Sequence, residues 1–192
     1  MDLTAKRRFL IAVALLVTCA GLLWFACSNS KSTNPAGLDD PNLLASKVAG
    51  SDCKLPITIT SSAQSADQDC FQFSYNTDGV LLVHRVNVGF NCCPDSFGVE
   101  VDYNDRVITI SECEYLTTPC HCLCLYDIDY TISGLSKRRY TIRVVEPYVV
   151  AYNMEPSLEF EVDFRKTPSG EFCVSRLQYP WGMEYAPYTS DD

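Results

Sequence analysis

Pro119-Cys120-His121-Cys122-Leu123-Cys124 places three cysteines and a histidine within six residues. With Cys92 and Cys93 upstream, Cys120, His121, Cys122 and Cys124 supply enough soft ligands for zinc or copper(I). The same sulfurs could instead be bridged, and spacing separates the two chemistries. Structural zinc sites use turns of the C-x2–4-C kind, on which both sulfurs reach one ion. Here the spacing is C-x-C, and residues i and i+2 of a strand stand roughly 6.6 Å apart on one face. Parallel side chains at that separation neither share a tetrahedral ion nor converge on each other as a disulfide requires. Cys122 and Cys124, in phase with Tyr126, Ile128 and Tyr130 on an inward face, are expected to bridge to another strand or loop. Cys92, after Val86, Val88 and Phe90, is the natural partner; Cys93 faces the other way, towards Cys113 or a loop cysteine.

The chain holds 11 cysteines in 192 residues, a usage that points to an oxidising compartment or to metal. Nine fall in the body of the chain: Cys53, Cys70, Cys92, Cys93, Cys113, Cys120, Cys122, Cys124 and Cys173. All nine are disulfide candidates, and the odd count leaves one free, paired with another chain or bound to something. A metal-binding or thiol-active domain built on residues 92–124 is the competing reading. The absence of a C-x-x-C motif weakens its redox form.

Other chemistry is sparse. His84 and His121 are the two histidines, and neither lies in a nucleophile motif, a zinc-hydrolase motif or a phosphate loop. His84, in phase with Leu82, Val86 and Val88, reads as a partly buried strand histidine. Asp102, Asp127 and Asp129 fall on polar strand faces, where solvated charge outweighs a calcium site. The aromatic and proline-rich tail from Tyr179 to Tyr188 reads as a cover for a sheet edge or core end, with a binding platform as the lesser reading. No catalytic residue and no cofactor is expected, and the protein reads as non-enzymatic. A hydrolase would need a concave pocket joining a histidine, an acid and a nucleophile.

A formal charge of −9 and a pI near 4.6 exclude a nucleic-acid binder, which needs a basic face. A hydrophobic content of 47% excludes a wholly disordered chain. The length allows one domain and a tail.

Lys6, Arg7 and Arg8 precede an uncharged run from Phe9 to Ala26, the pattern of a signal or membrane anchor. The run ends in Trp24-Phe25-Ala26-Cys27, which resembles the lipobox of bacterial lipoproteins. Ala26 matches the small residue before the cut, while Trp24 and Phe25 depart from the usual Leu and small residue. The resemblance implies cleavage before Cys27, lipid on Cys27 and, with Ser28 following, sorting to the outer membrane. Leu16-Val17-Thr18-Cys19 is a competing site, and an uncleaved anchor helix is the alternative. Either way the positive end stays in the cytoplasm and the body lies outside it. Residues 1–26 carry three positive charges and one negative, so the body alone is more acidic than the chain, and the anchor must supply the membrane affinity.

Residues 27–52 read as a flexible linker, with one short helix through Leu43, Leu44 and Val48 that stops at Gly50. From Cys53 to residue 192 the pattern alternates with period two. It predicts strands at Leu55–Ser61, Cys70–Tyr75, Leu82–Cys92, Gly98–Tyr103, Arg106–Cys113, Cys122–Ile132, Tyr140–Val145, Leu158–Phe164 and Phe172–Leu177. An Asn104-Asp105 turn would pair Val101 with Ile108 and Val99 with Ile110. About nine strands at this spacing predict an all-β antiparallel sandwich, disulfide-rich. Ile132-Ser133-Gly134-Leu135 followed by Tyr140-Thr141-Ile142-Arg143-Val144 resembles a segment of immunoglobulin-like and transthyretin-like sandwiches. The likeness implies an immunoglobulin-like fold with Tyr140 as a corner residue, and Lys137-Arg138 replaces the usual Pro-Gly. The combined expectation is a lipid-anchored, extracytoplasmic envelope protein with a structural, adhesive or partner-binding role, its partner an envelope protein or glycan.

Overall fold

The computed structural model describes residues 43–54 and 65–181. Cys19, Cys27, the anchor segment and the expected strand Leu55–Ser61 lie outside the described residues.

The strands are β1 (Leu44–Ala45), β2 (Ala49–Gly50), β3 (Gln68–Tyr75), β4 (Leu81–Asn91), β5 (Ser96–Asn104), β6 (Val107–Tyr115), β7 (Leu123–Ser133), β8 (Arg139–Val145), β9 (Glu159–Asp163) and β10 (Ser169–Ser175). One short helix, α1 (Pro147–Ala151), follows β8 and was not visible as a period in the sequence. The first sheet runs β1-β7-β4-β3-β10, with β2 also on β7; the second runs β5-β6-β8-β9. Phe71 meets Phe160 at 5.3 Å, Tyr75 stacks on Phe164 at 4.6 Å, and Phe90 meets Phe97 at 5.0 Å. Each of these ring pairs joins the two sheets, so the chain is an all-β sandwich. All pairings are antiparallel except β6 with β8, which run parallel because β7 crosses to the other sheet between them.

Three local expectations are corrected. The segment read as a short helix ending a linker is instead two strand fragments laid along β7, with Leu44 opposite Ser133 and Gly50 opposite Ile128. Serine hydroxyls take ladder positions between them: Ser46 Oγ accepts from Thr131 N and Ser51 Oγ from Asp127 N. Gly50 allows the Phe97 ring to close over this edge, since a Cβ would stand 2.3 Å from it. The β5–β6 hairpin turns at Asp105-Arg106, both with positive φ (46° and 67°), rather than at Asn104-Asp105. Val101 therefore pairs with Ile110, and Val99 with Glu112. The slip is two residues, so every side chain keeps its face. In β4 the pairing shifts between Arg85 and Val88, where Asn87 has φ 62°. The bulge reverses the phase: Leu81, Val83 and Arg85 point inward, then Val88 and Phe90, leaving Leu82 and His84 outside.

Tyr140 caps the loop before its own strand. Its hydroxyl donates to Ser136 O at 3.0 Å and accepts from Ser136 N and Arg138 Nε, both at 3.1 Å. The ring is buried beside Phe164 and Tyr103.

The registers give the sandwich two ends. Leu44, Tyr75, Leu81, Ser133 and Arg139 mark one; Cys53, Asn91, Ser96, Leu123, α1 and Ser175 mark the other. The described chain enters at the first end and climbs the β7 edge to Cys53 at the second.

Removing the Tyr140 hydroxyl takes this partner from Ser136 N and Ser136 O. Tyr140→Phe should lower unfolding free energy by about 1–2 kcal/mol in urea titrations. Tyr152→Phe, on an exposed ring, should leave it unchanged; equal effects would contradict the corner role.

Candidate functional site

The cysteine-rich end is built around Asn91. Its side-chain oxygen accepts from Cys93 N (3.1 Å) and Cys120 N (3.0 Å), and its amide donates to Cys120 O (2.7 Å). Its backbone N donates to Glu114 and its carbonyl accepts from Tyr126 Oη. One residue at the end of β4 therefore seats both cysteine-bearing loops. Cys92 bridges Cys122 and Cys93 bridges Cys120, with Cα separations of 5.6 and 5.7 Å. Cys124 bridges Cys53 across the β7 edge, and Cys70 bridges Cys173 between β3 and β10. Cys122 lies just outside β7 and is exposed, not inward as the strand phase implied. Cys113 is buried. Loops of this size each contribute about 3–5 kcal/mol by constraining the unfolded chain.

Of the proposed metal ligands, Cys92, Cys93, Cys120, Cys122 and Cys124 are thus in bridges and offer no thiolate, while His121 is exposed on the loop. Among the described residues one cluster brings three residues able to ligate a metal within reach, Cys70, Glu171 and Cys173, and its two sulfurs are bonded to each other.

His84 lies in a cross-strand row on the outer face of the first sheet, Glu171–Gln72–His84–Asp129. His84 Nδ1 is 2.8 Å from Asp129 Oδ1, and Gln72 donates to Glu171 at 2.8 Å. The row lines a shallow groove of about 460 Å³ with Ser74 and Ser169. Among the described residues no serine hydroxyl is hydrogen-bonded to His84, and the His84 and Asp129 side chains are 41% and 64% exposed. The pair is solvated. The three aspartates do not gather. Asp102 is on β5, Asp127 pairs with Lys54 and Asp129 with His84. The described part of the tail covers the core. Tyr179 Oη brackets the Leu123 backbone, and Trp181 is fully buried against Gly89, where a Cβ would meet it at 2.6 Å.

The unusual chemistry lies where no motif pointed, between the sheets beneath the stapled end. Asp69, Arg85, Glu112, Glu146 and Arg176 are all at least 97% buried. Asp69 Oδ1 accepts from Arg85 Nη1 (2.9 Å) and Oδ2 from Arg176 Nε (2.6 Å). Arg85 also donates to both Glu112 oxygens and to Cys70 O; Arg176 donates to Pro156 O and Glu146 Oε2. Tyr130 Oη donates to Glu112 at 2.9 Å. The Arg176 guanidinium lies 5.2 Å over the Trp181 ring, whose Nε1 donates to Asn87 O.

Three carboxylates face two guanidiniums, so one carboxyl must hold a proton for the cluster to be neutral. Burial raises both Glu112 and Glu146 above the ordinary carboxylate range, and Glu146 well above it, with Asp69 and Glu112 adding repulsion. Glu112 accepts three hydrogen bonds. Glu146 Oε1 accepts none, although Arg85 Nη2 lies 3.2 Å away. The proton therefore belongs on Glu146. For Arg85, burial alone would lower the pKa, but the carboxylates of Glu112, Asp69 and Glu146 raise it well above the ordinary value. Such a cluster neutralises itself.

Comparison of the chain with family models, with curated proteins and with solved structures finds no match.

Two outcomes follow from the cluster. Arg85→Met leaves Asp69 and Glu112 without their shared cation and should cost about 3–5 kcal/mol in denaturant titrations. Glu146 binds its proton more tightly folded than unfolded, so its stability contribution is full below the unfolded pKa of 4.5 and is lost as pH rises towards the raised folded value. Wild-type stability should fall by about 1.4 kcal/mol per pH unit through that window, and Glu146→Gln should flatten the slope. Equal slopes would place the proton elsewhere.

Proposed function

We infer that the protein is a non-enzymatic, lipid-anchored module of the cell envelope whose immunoglobulin-like sandwich holds its stapled end away from the membrane for a partner. The observation that carries this is directional. The described chain enters at the Ser133 end, whereas the bridges of Cys92, Cys93 and Cys124 lie at the opposite end. Among the described residues, five of the seven large apolar side chains left exposed, Tyr115, Leu116, Val150, Tyr152 and Leu177, belong to that far end as well. Exposed apolar side chains concentrated at one end are the usual mark of a binding surface.

The disulfides fit an oxidising, extracytoplasmic compartment. The Tyr140 corner supports the immunoglobulin-like reading. Lipid on Cys27 supplies the anchor in this account, and among the described residues no helix is long and apolar enough to cross a membrane. The partner would be an envelope protein or glycan. The bridged state of the Cys92–Cys124 sulfurs speaks against the metal-binding alternative.

Expression of the full chain in a bacterial host with radiolabelled palmitate tests the anchor. Label should ride on the wild-type protein in the membrane fraction. Cys27→Ser should lose the label. A Cys27→Ser protein that keeps label overturns lipidation at Cys27, and wild-type protein found in the membrane without label identifies an uncleaved anchor.

A further inference from the structure

The acidic composition conceals a segregated surface. Apart from the buried Arg85 and Arg176, most cations of the described chain sit in three turns of the second sheet: Arg106; Lys137, Arg138 and Arg139; Arg165 and Lys166. These turns are neighbours. Thr141 N donates to Arg106 O at 2.9 Å, Phe164 N donates to Arg138 O at 3.2 Å, and Arg139 stands opposite Asp163 in the ladder. Acids nearby are fewer. Asp163 is taken by Arg165 at 2.8 and 2.7 Å, Glu161 lies 3.8 Å from Arg139, and Asp105 and Asp78 are at the turns. Arg138 is held by the Tyr140 and Tyr103 hydroxyls. Arg106, Lys137 and Lys166 are exposed.

This basic end is also where the described chain enters. Ser133 Oγ donates to Leu44 O at 3.3 Å, and Lys137 follows Ser133 by one turn. We propose that the end formed by Arg106, Lys137–Arg139 and Arg165-Lys166 seats the sandwich on anionic lipid headgroups of the membrane that holds its anchor. The inference rests on the tethered reading above and adds a contact to it. Cations within a Debye length of an anionic surface are attracted to it, whereas the remaining, acidic body is repelled. The two effects together orient the module with its stapled end outward.

The test uses the full chain in phosphatidylcholine vesicles, with and without phosphatidylglycerol. An amine-reactive reagent labels lysines, and peptide masses give each site's rate. Lys54, at the stapled end, is the internal reference. On anionic vesicles at low salt, labelling of Lys137 and Lys166 should fall about fivefold relative to Lys54 and recover at high salt. Lys137→Glu should weaken the protection of Lys166. Equal labelling on both vesicle types overturns the proposal. So does protection given by a soluble polyanion such as heparin and not by the vesicles, which would mark an acidic polymer as the ligand. If the chain fails to float with phosphatidylcholine vesicles, the anchor reading fails by itself. The basic end is then judged by flotation with phosphatidylglycerol vesicles, which must bind wild type and bind Lys137→Glu more weakly.

Discussion

Asp69 accepts from Arg85 on one oxygen and from Arg176 on the other, and neither arginine can leave without stranding charge in the core. Through Arg85 this pairing reaches Glu112 of the second sheet, and through Arg176 it reaches Glu146 beyond β8. Five buried ionisable side chains thus join β3, β4, β6, the end of β8 and the segment after β10. Desolvating them is costly, and the cost is offset only where every partner is in place. Slipping any of these strands by one residue would turn its charge outward and expose its apolar neighbours. The cluster therefore ties sheet register to sheet packing, which apolar contacts alone enforce less sharply.

The disulfides work on a different part of the problem. The aromatic core fills the space between sheets, but the loops at the far end bury little apolar surface. Asn91 seats those loops by hydrogen bonds, and the Cys92–Cys122 and Cys93–Cys120 bridges fix them covalently. That end can then expose Tyr115, Val150 and Tyr152 on a rigid frame. At the other end the chain enters beside a cationic set of turns. The same sandwich thus carries two surfaces of opposite character at its two ends.

The fold was legible because most strands alternate cleanly. Ile108 and Ile110 or Ile142 and Val144 announce an inward face without ambiguity. The edge fragments β1 and β2 were not legible, because Ser46 and Ser51 replace ladder groups with hydroxyls and the segment's composition is that of a linker. The hairpin turn was misplaced because Asp105 and Arg106 adopt left-handed conformations usually given to asparagine or glycine. The β4 bulge has no signal that precedes knowledge of the pairing. The charged cluster did leave a trace. Asp69 is in phase with Phe71 and Phe73, Glu112 with Ile110, Glu146 with Val144, and Arg176 with Val174. A search for motifs passes over such residues, because each looks like an ordinary surface charge until its phase is compared with the strand beside it.

The central functional claim is that the cysteine-rich end is scaffold and not a reactive or metal-binding centre. Peptide mass mapping of the unreduced, chelator-free protein tests it most directly. The account predicts linked peptides for Cys53–Cys124, Cys70–Cys173, Cys92–Cys122 and Cys93–Cys120, with none of these eight sulfurs alkylated before reduction. Alkylation at Cys92, Cys93, Cys120 or Cys122 in the native protein, or a metal mass lost on denaturation, would contradict it and make that end the site of the chemistry.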